Sequence, residues 1–316
     1  MMERYRRELS VAFAIVALAV LMAAIAPRFF APENLLDLLL ANIPVLIVAV
    51  GMTLVILTGQ IDISVGSHFA ICGVVAGVLA REGLPVLAAG AMACVCGALL
   101  GALNGVLVSY VRMPSIVVTL AAMVALRDAL RWTTEGAWIQ DLPPGFQWFG
   151  LSQSGSAALT AVVAVVVVVI TGWALRHLRA GRAVYATGSD AAAARLAGIS
   201  GNAVVCAVFA IAGALTGCAA LLNSVRFNQI PSNAGIGLEM KVIASVVVGG
   251  TAITGGKGTI LGTTLGVVLL GMIGPALTFL GISAYWERAI QGGIILTAVA
   301  ADAVRMRHAT RHPVPA

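Results

Sequence analysis

Asp62 makes the clearest chemical claim in this chain. It sits in Gly59-Gln60-Ile61-Asp62-Ile63-Ser64-Val65-Gly66-Ser67, between two apolar runs that offer it no water. A carboxylate at the centre of a bilayer costs at least about 2.5–3.5 kcal/mol, so it is kept only where it faces protein or a wet passage. The flanking glycines let the backbone turn, and Asp62 can cap the helix that follows, with Ser64 and Ser67 as alternative caps. A cap that fixes a helix break beside a passage is one reading. The other is an ion-coupled secondary transporter, with Asp62 as the site for a proton or sodium. Asn104 and Thr119, polar groups in apolar stretches, join Asp62 and Ser64 as candidates for a weakly polar solute path.

Other chemistries are poorly provided for. Cys72, Cys94, Cys96, Cys206 and Cys218 all lie in apolar stretches; Cys94 and Cys96, two apart, face different sides of a helix, which favours neither metal nor disulfide. The four histidines form no metal-binding cluster, so no catalytic residue, metal or cofactor is expected. Gly255-Gly256-Lys257-Gly258-Thr259 lacks the upstream glycine spacing of a phosphate-binding loop, so the chain is not expected to hydrolyse ATP.

The elements that must position these groups follow from composition. Of 316 residues, 60% are hydrophobic and only 10% charged, with mean hydropathy +1.02, against about 25% charged in a soluble domain. Lipid offers no hydrogen-bond partners, and the apolar runs are far longer than barrel strands of about 10 residues, so helices are expected. The fold class is therefore all-α: a polytopic transmembrane bundle forming a single domain over 1–316. About ten spans are expected, at 9–26, 38–57, 66–80, 85–108, 114–131, 157–175, 202–223, 239–254, 258–280 and 285–301, followed by a tail at 302–316. The segments from Gly66 and Glu239 are short and flanked by glycine-rich breaks, as broken helices lining a cavity would be.

Arg4, Arg6 and Arg7 ahead of the first run mimic a cleavable leader, but the run is too long for a leader core and reads as an uncleaved first span. The net charge of +6 does not argue for nucleic acid, because the basic residues occupy short loops between apolar runs. Twelve of the nineteen Lys and Arg fall on one side when both termini are placed in the cytoplasm, as the positive-inside rule requires of an inner-membrane protein. Leu54–Gly77 and Val246–Gly271 share the order apolar run, glycine-rich break, apolar run, which is either a parallel internal repeat or the common look of two helices joined by a glycine turn.

Three loops stand out. The outer stretch 132–156 is aromatic, with Trp132, Trp138, Phe146, Trp148 and Phe149 serving as an interfacial belt or as a dock for a partner. The inner stretch 176–201 holds a short helix from Ala191 to Ala197, capped by Ser189 or Asp190 and ended by Gly198. Carrying Arg195, that helix is shaped for another protein's groove or for resting on lipid headgroups. The third, 223–238, is outside and polar.

Family resemblance enters at the residues already quoted. Gly51 to Ser67 resembles the hallmark of the ribose/xylose/arabinose branch of ABC importer permeases, with Gln60 standing where the branch usually has glycine. Asn104-Gly105-Val106-Leu107-Val108, Pro114 to Leu120, Gly181 to Gly188, Ala194 to Ile199, Gly237-Leu238-Glu239, Gly249-Gly250-Thr251 and Gly255 to Thr259 are similar to it in the same order. The resemblance implies a non-catalytic permease subunit, paired with a second permease, two cytoplasmic ABC ATPase subunits and a periplasmic solute-binding protein. It further implies that Gly181, Arg182, Asp190, Arg195 and Gly198 belong to the loop coupled to the ATPase. Within the branch, Thr134 to Pro143 and Gly237 to Lys241 look closest to rhamnose and autoinducer-2 permeases.

Overall fold

The computed structural model describes residues 2–283 and 285–297, with side chains from Glu8 onward. Its helices, in chain order, are α1 (Met2–Ile25), α2 (Pro32–Leu57), α3 (Val65–Arg81), α4 (Val86–Ser109), α5 (Ser115–Thr134), α6 (Gln153–His177), α7 (Arg179–Ser189), α8 (Ala191–Leu196), α9 (Gly201–Ser224), α10 (Leu238–Val248) and α11 (Ile260–Phe279). A further helical stretch covers 286–297. There is no strand among the described residues, only an isolated antiparallel bridge between Ile139 and Ile230. Each expected apolar segment coincides with a helix; the end of the last segment and the tail 302–316 lie outside the described residues.

Among the described residues six helices, α1, α2, α4, α6, α9 and α11, are long and apolar enough to cross a membrane, fewer than the ten crossings expected from the sequence. The difference lies in α3, with 17 residues, in α10, with 11, and in α5, whose 20 residues include Arg127, Asp128 and Arg131. The final helical stretch at 286–297 is likewise short of a span within the described residues.

The bundle is built as a protein surrounded by lipid must be. Large apolar side chains such as Leu99, Leu103, Val165 and Val169 point outward, while Asp62, His68, Asn104, Thr119, Thr216 and Thr263 are buried. With no water to expel between helices, association relies on close packing of small residues. Helix α9 is the hub, packed against α2, α3 and α4. On α4, Gly97, Gly101 and Gly105 repeat every fourth residue, and the backbone of α9 lies against them at Gly213, Phe209 and Cys206. A side chain at Gly97 would fall on the carbonyl of Gly213, and one at Gly213 on the carbonyl of Gly97.

Both glycine-rich breaks lie at one end of the bundle and touch. The Gly256 N–H donates to the Leu57 carbonyl (2.9 Å), and the Thr53 and Thr263 hydroxyls share a hydrogen bond (2.7 Å) one turn into α2 and α11. Helix α7 locks onto the same junction. A side chain at Gly188 would overlap the Leu57 carbonyl, and the Tyr185 hydroxyl donates to the Gly258 carbonyl (2.9 Å).

At the other end, the loop after α9 re-enters the bundle. Ser224 lies by Gly73, Ile230 by Gly77, and Gly235, at φ +72, comes down against the carbonyl of Gly66 in the first turn of α3. The 132–156 loop clamps it there: Ile139 and Ile230 exchange both backbone hydrogen bonds (2.9 Å each), and the Trp148 N–H donates to the Val225 carbonyl (2.7 Å). Phe146 is buried beneath the clamp, whereas Trp132 and Trp138 are exposed.

Candidate solute path and coupling surface

The structure brings Asp62, Ser64, Asn104 and Thr119 together around the break between α2 and α3. All four are at most 2% exposed. One oxygen of Asp62, Oδ1, accepts from the Ser64 N–H (2.9 Å) and from the Ser64 hydroxyl, closing a tight turn just before α3. The Asn104 Nδ2 on α4 donates to the Ser64 Oγ (2.9 Å), and the Thr119 hydroxyl on α5 donates to the Ser115 carbonyl (2.8 Å) while leaning toward that of Ile61 (3.4 Å). The hydrogen-bonding capacity of these groups is largely spent on one another, which is what a frame requires.

His68 completes the cluster, its Nε2 lying 3.2 Å from the Ser64 Oγ. A serine oxygen has one hydrogen and two lone pairs. Because Ser64 donates to Asp62 and accepts from Asn104, the remaining lone pair takes a proton from His68 Nε2, leaving Nδ1 bare, and Nδ1 is buried with no partner. Motif reading leaves His68 unmarked, although its place one helical turn after Ser64 puts the two on one face. Ser67 likewise serves as a strut, not a cap: its hydroxyl donates to the Met123 carbonyl (2.7 Å), tying α3 to α5.

Where α3 and α10 begin, a second polar group collects. A side chain at Gly66 would meet Glu239 and Arg127; Arg127 donates to the Ala234 carbonyl (3.2 Å), and Glu239 Oε1 accepts from the Gly237 N–H (3.2 Å). Arg127, near the end of α5, thus faces into the bundle.

The residues assigned to coupling lie at the end that carries the two breaks. Asp190, rather than Ser189, caps α8, its Oδ1 accepting from the Ala192 and Ala193 N–H groups (2.9 and 3.0 Å). Gly198, at φ +79, ends the helix with a left-handed turn. Gly181 is buried where α7 meets α6, against the backbone of Ala174 and Leu175. Arg182 donates to the His177 carbonyl (3.3 Å). Of α8 itself only Ala194 is buried; Arg195 is exposed, and Leu196 is 89% exposed, making α8 a protruding knob.

The helix α7 is the part of this surface that the sequence conceals within a loop. Its buried positions, Gly181, Val184 and Thr187, recur every third residue, the one signal that marks it as a packed helix.

Comparison with known proteins places this geometry in context. The family described as branched-chain amino acid transport system / permease component matches residues 34–299. The ribose import permease protein of Escherichia coli (strain K12) is 36% identical over 296 residues, covering 92% of this chain and 91% of that protein. The autoinducer 2 import system permease protein of Klebsiella pneumoniae subsp. pneumoniae is 37% identical over 313 residues, covering 97% and 89%. The ribose import permease protein of Haemophilus influenzae is 34% identical over 293 residues, covering 92% and 91%. No solved structure matches. A helical, lipid-facing bundle aligned along nearly its whole length with import permeases belongs, on this evidence, to the family of transport-system permease components.

Proposed function

We propose that the chain is the membrane-spanning subunit of an ATP-driven importer for a sugar or sugar-like solute. It performs no chemistry on that solute. A separate ABC ATPase supplies the motive force and a solute-binding protein delivers the cargo, as its kinship with ribose and autoinducer-2 import permeases supports. In this reading two permeases pair, both termini and both glycine breaks face the cytoplasm, and the two break units form a parallel repeat. The short helices α3 and α10 and the charged α5 then complete, with the stretch at 286–297, a count of ten membrane segments. Asp62, Ser64, Asn104 and Thr119 hold the break rigid beside the path.

The observation that carries the coupling role is α8. A capped helix with an 89% exposed leucine, mounted on a helix locked to both breaks, suits a partner's groove. A push on α8 reaches Leu57 and Gly256 directly through Gly188. Arg195→Glu is therefore expected to leave the protein inserted while lowering solute-stimulated ATP hydrolysis by the assembled complex by about tenfold or more, because a reversed charge at a docked interface repels its partner. Wild-type hydrolysis in that variant removes the role from this surface.

Reconstitution tests the whole reading. Vesicles holding the chain alone should show no concentrative uptake of D-ribose or autoinducer-2, and ATPase, binding protein and ATP together should start it. Uptake by the lone chain under a sodium or proton gradient would instead establish the ion-coupled carrier.

A further inference from the structure

A cleft of about 480 Å³ opens between the head of α10 and the helical stretch at 286–297, inside the range of about 300–1,000 Å³ usual for small-molecule sites. Its polar lining converges from both elements: Lys241 from α10, and Glu287, Arg288 and Gln291 from the later helix, with Ser283 and Tyr285 at its edge. Lys241 Nζ lies 3.5 Å from Glu287 Oε1, and the Gln291 Nε2, on a side chain buried to 4% exposure, donates to the same oxygen (3.0 Å). Glu287 reaches this position only because Gly274 of α11 has no side chain in its way.

Depth makes the arrangement significant. Lys241 lies seven residues above Val248, about 10 Å along α10 at 1.5 Å per residue. The end of α10 is itself packed on the start of α11, Gly249 lying against Gly262 beside the joined breaks. The ion pair therefore stands well inside the bundle, level with segments whose outer faces are apolar. Charged groups at such depth are retained where they face protein or a water-filled passage, and this pair lines an open cleft.

We propose that the cleft is a resting site for the transported solute and that it engages that solute through adjacent hydroxyl groups. The proposal rests on the importer reading above and adds a place and a chemistry to it. Lys241 and Glu287 offset each other, so the wall presents donors and acceptors side by side, and the Arg288 guanidinium adds one positive charge. Adjacent hydroxyls match that alternation: each can donate to the carboxylate and accept from the ammonium or from the Arg288 guanidinium.

The test uses the permease assembled with its ATPase and binding protein in vesicles, with D-ribose as the probe. The pair is partly buried, so removing one member strands the other charge and costs stability, whereas removing both together avoids that cost. The informative variant is thus the double change Lys241→Met with Glu287→Leu, scored for thermal melting and for import. The expected result is melting near the wild-type midpoint with D-ribose import reduced about tenfold or more, the loss of several charge-assisted hydrogen bonds. Arg288→Gln should raise the half-saturating D-ribose concentration with no change in melting. Wild-type import by the double variant would make the pair a strut, overturning the site and leaving the importer reading intact. A wild-type assembly that hydrolyses ATP yet moves neither D-ribose nor any other sugar, and instead moves a solute without adjacent hydroxyl groups, would overturn the sugar reading and this site together.

Discussion

Replacing Gly213 with valine is expected to leave almost no folded permease in a detergent extract. The Gly213 Cα faces α4 so closely that a Cβ would lie on the Gly97 carbonyl and about 3.2 Å from the Gly101 Cα. These are backbone atoms, which cannot turn aside as a flexible side chain would. Overpacking a well-filled interior costs about 1–3 kcal/mol when side chains can yield, and more when helices must separate. Set against a total stability of about 5–15 kcal/mol, forcing apart the hub pair α4 and α9 removes a large part of it. A suitable control is Gly172→Ala, where the nearest atom to a new Cβ is 3.9 Å away. There the helix should gain about 0.5–1 kcal/mol, as alanine does over glycine in a helix interior. Melting curves by intrinsic fluorescence separate the two; equal midpoints would contradict the close-packing account.

The second large effect is expected at Asp62. Truncation to alanine strips two hydrogen bonds from Ser64 at a site 1% exposed. Each donor left unmet in a buried setting costs about 1–3 kcal/mol, so Asp62→Ala should lose about 2–5 kcal/mol in all. Asp62→Asn keeps an acceptor oxygen for the Ser64 N–H and should lose roughly half as much. In both variants the folded fraction should keep the wild-type order of preference among sugars, because the side chain is spent on its own turn. A clean change of preference with unaltered melting would instead put Asp62 in direct contact with solute.

Helix positions were readable from composition because lipid imposes a rule that water does not: every backbone group must be satisfied within its own segment. The caps of α8 were readable for a similarly local reason, since Asp190 and Gly198 act within two or three residues of themselves. Pairings between distant segments left no such trace. Nothing near Lys241 in the chain announces Glu287, and nothing near Arg127 announces Glu239 or the descending loop beside it. Helix α7 was hidden for another reason: Gly181 and Gly188 read as loop glycines, while in the bundle they are the points where α7 lies flush on α6 and on the end of α2. Asp62 was expected to cap α3 and instead closes the turn before it through Ser64; the sealing of its neighbourhood by Asn104, Thr119 and His68 required the bundle to be assembled.

The embrace of α4 and α9 carries a consequence for how the molecule is made. Ninety-one residues lie between Ser109 and Gly201, so at about 5–20 residues per second a ribosome needs roughly 5–20 s to deliver the second helix after the first. Throughout that interval the glycine groove of α4 waits in the bilayer without its mate, and any other helix with a smooth face is a competitor for it. Faithful biogenesis of this protein is therefore a matter of timing as well as of shape.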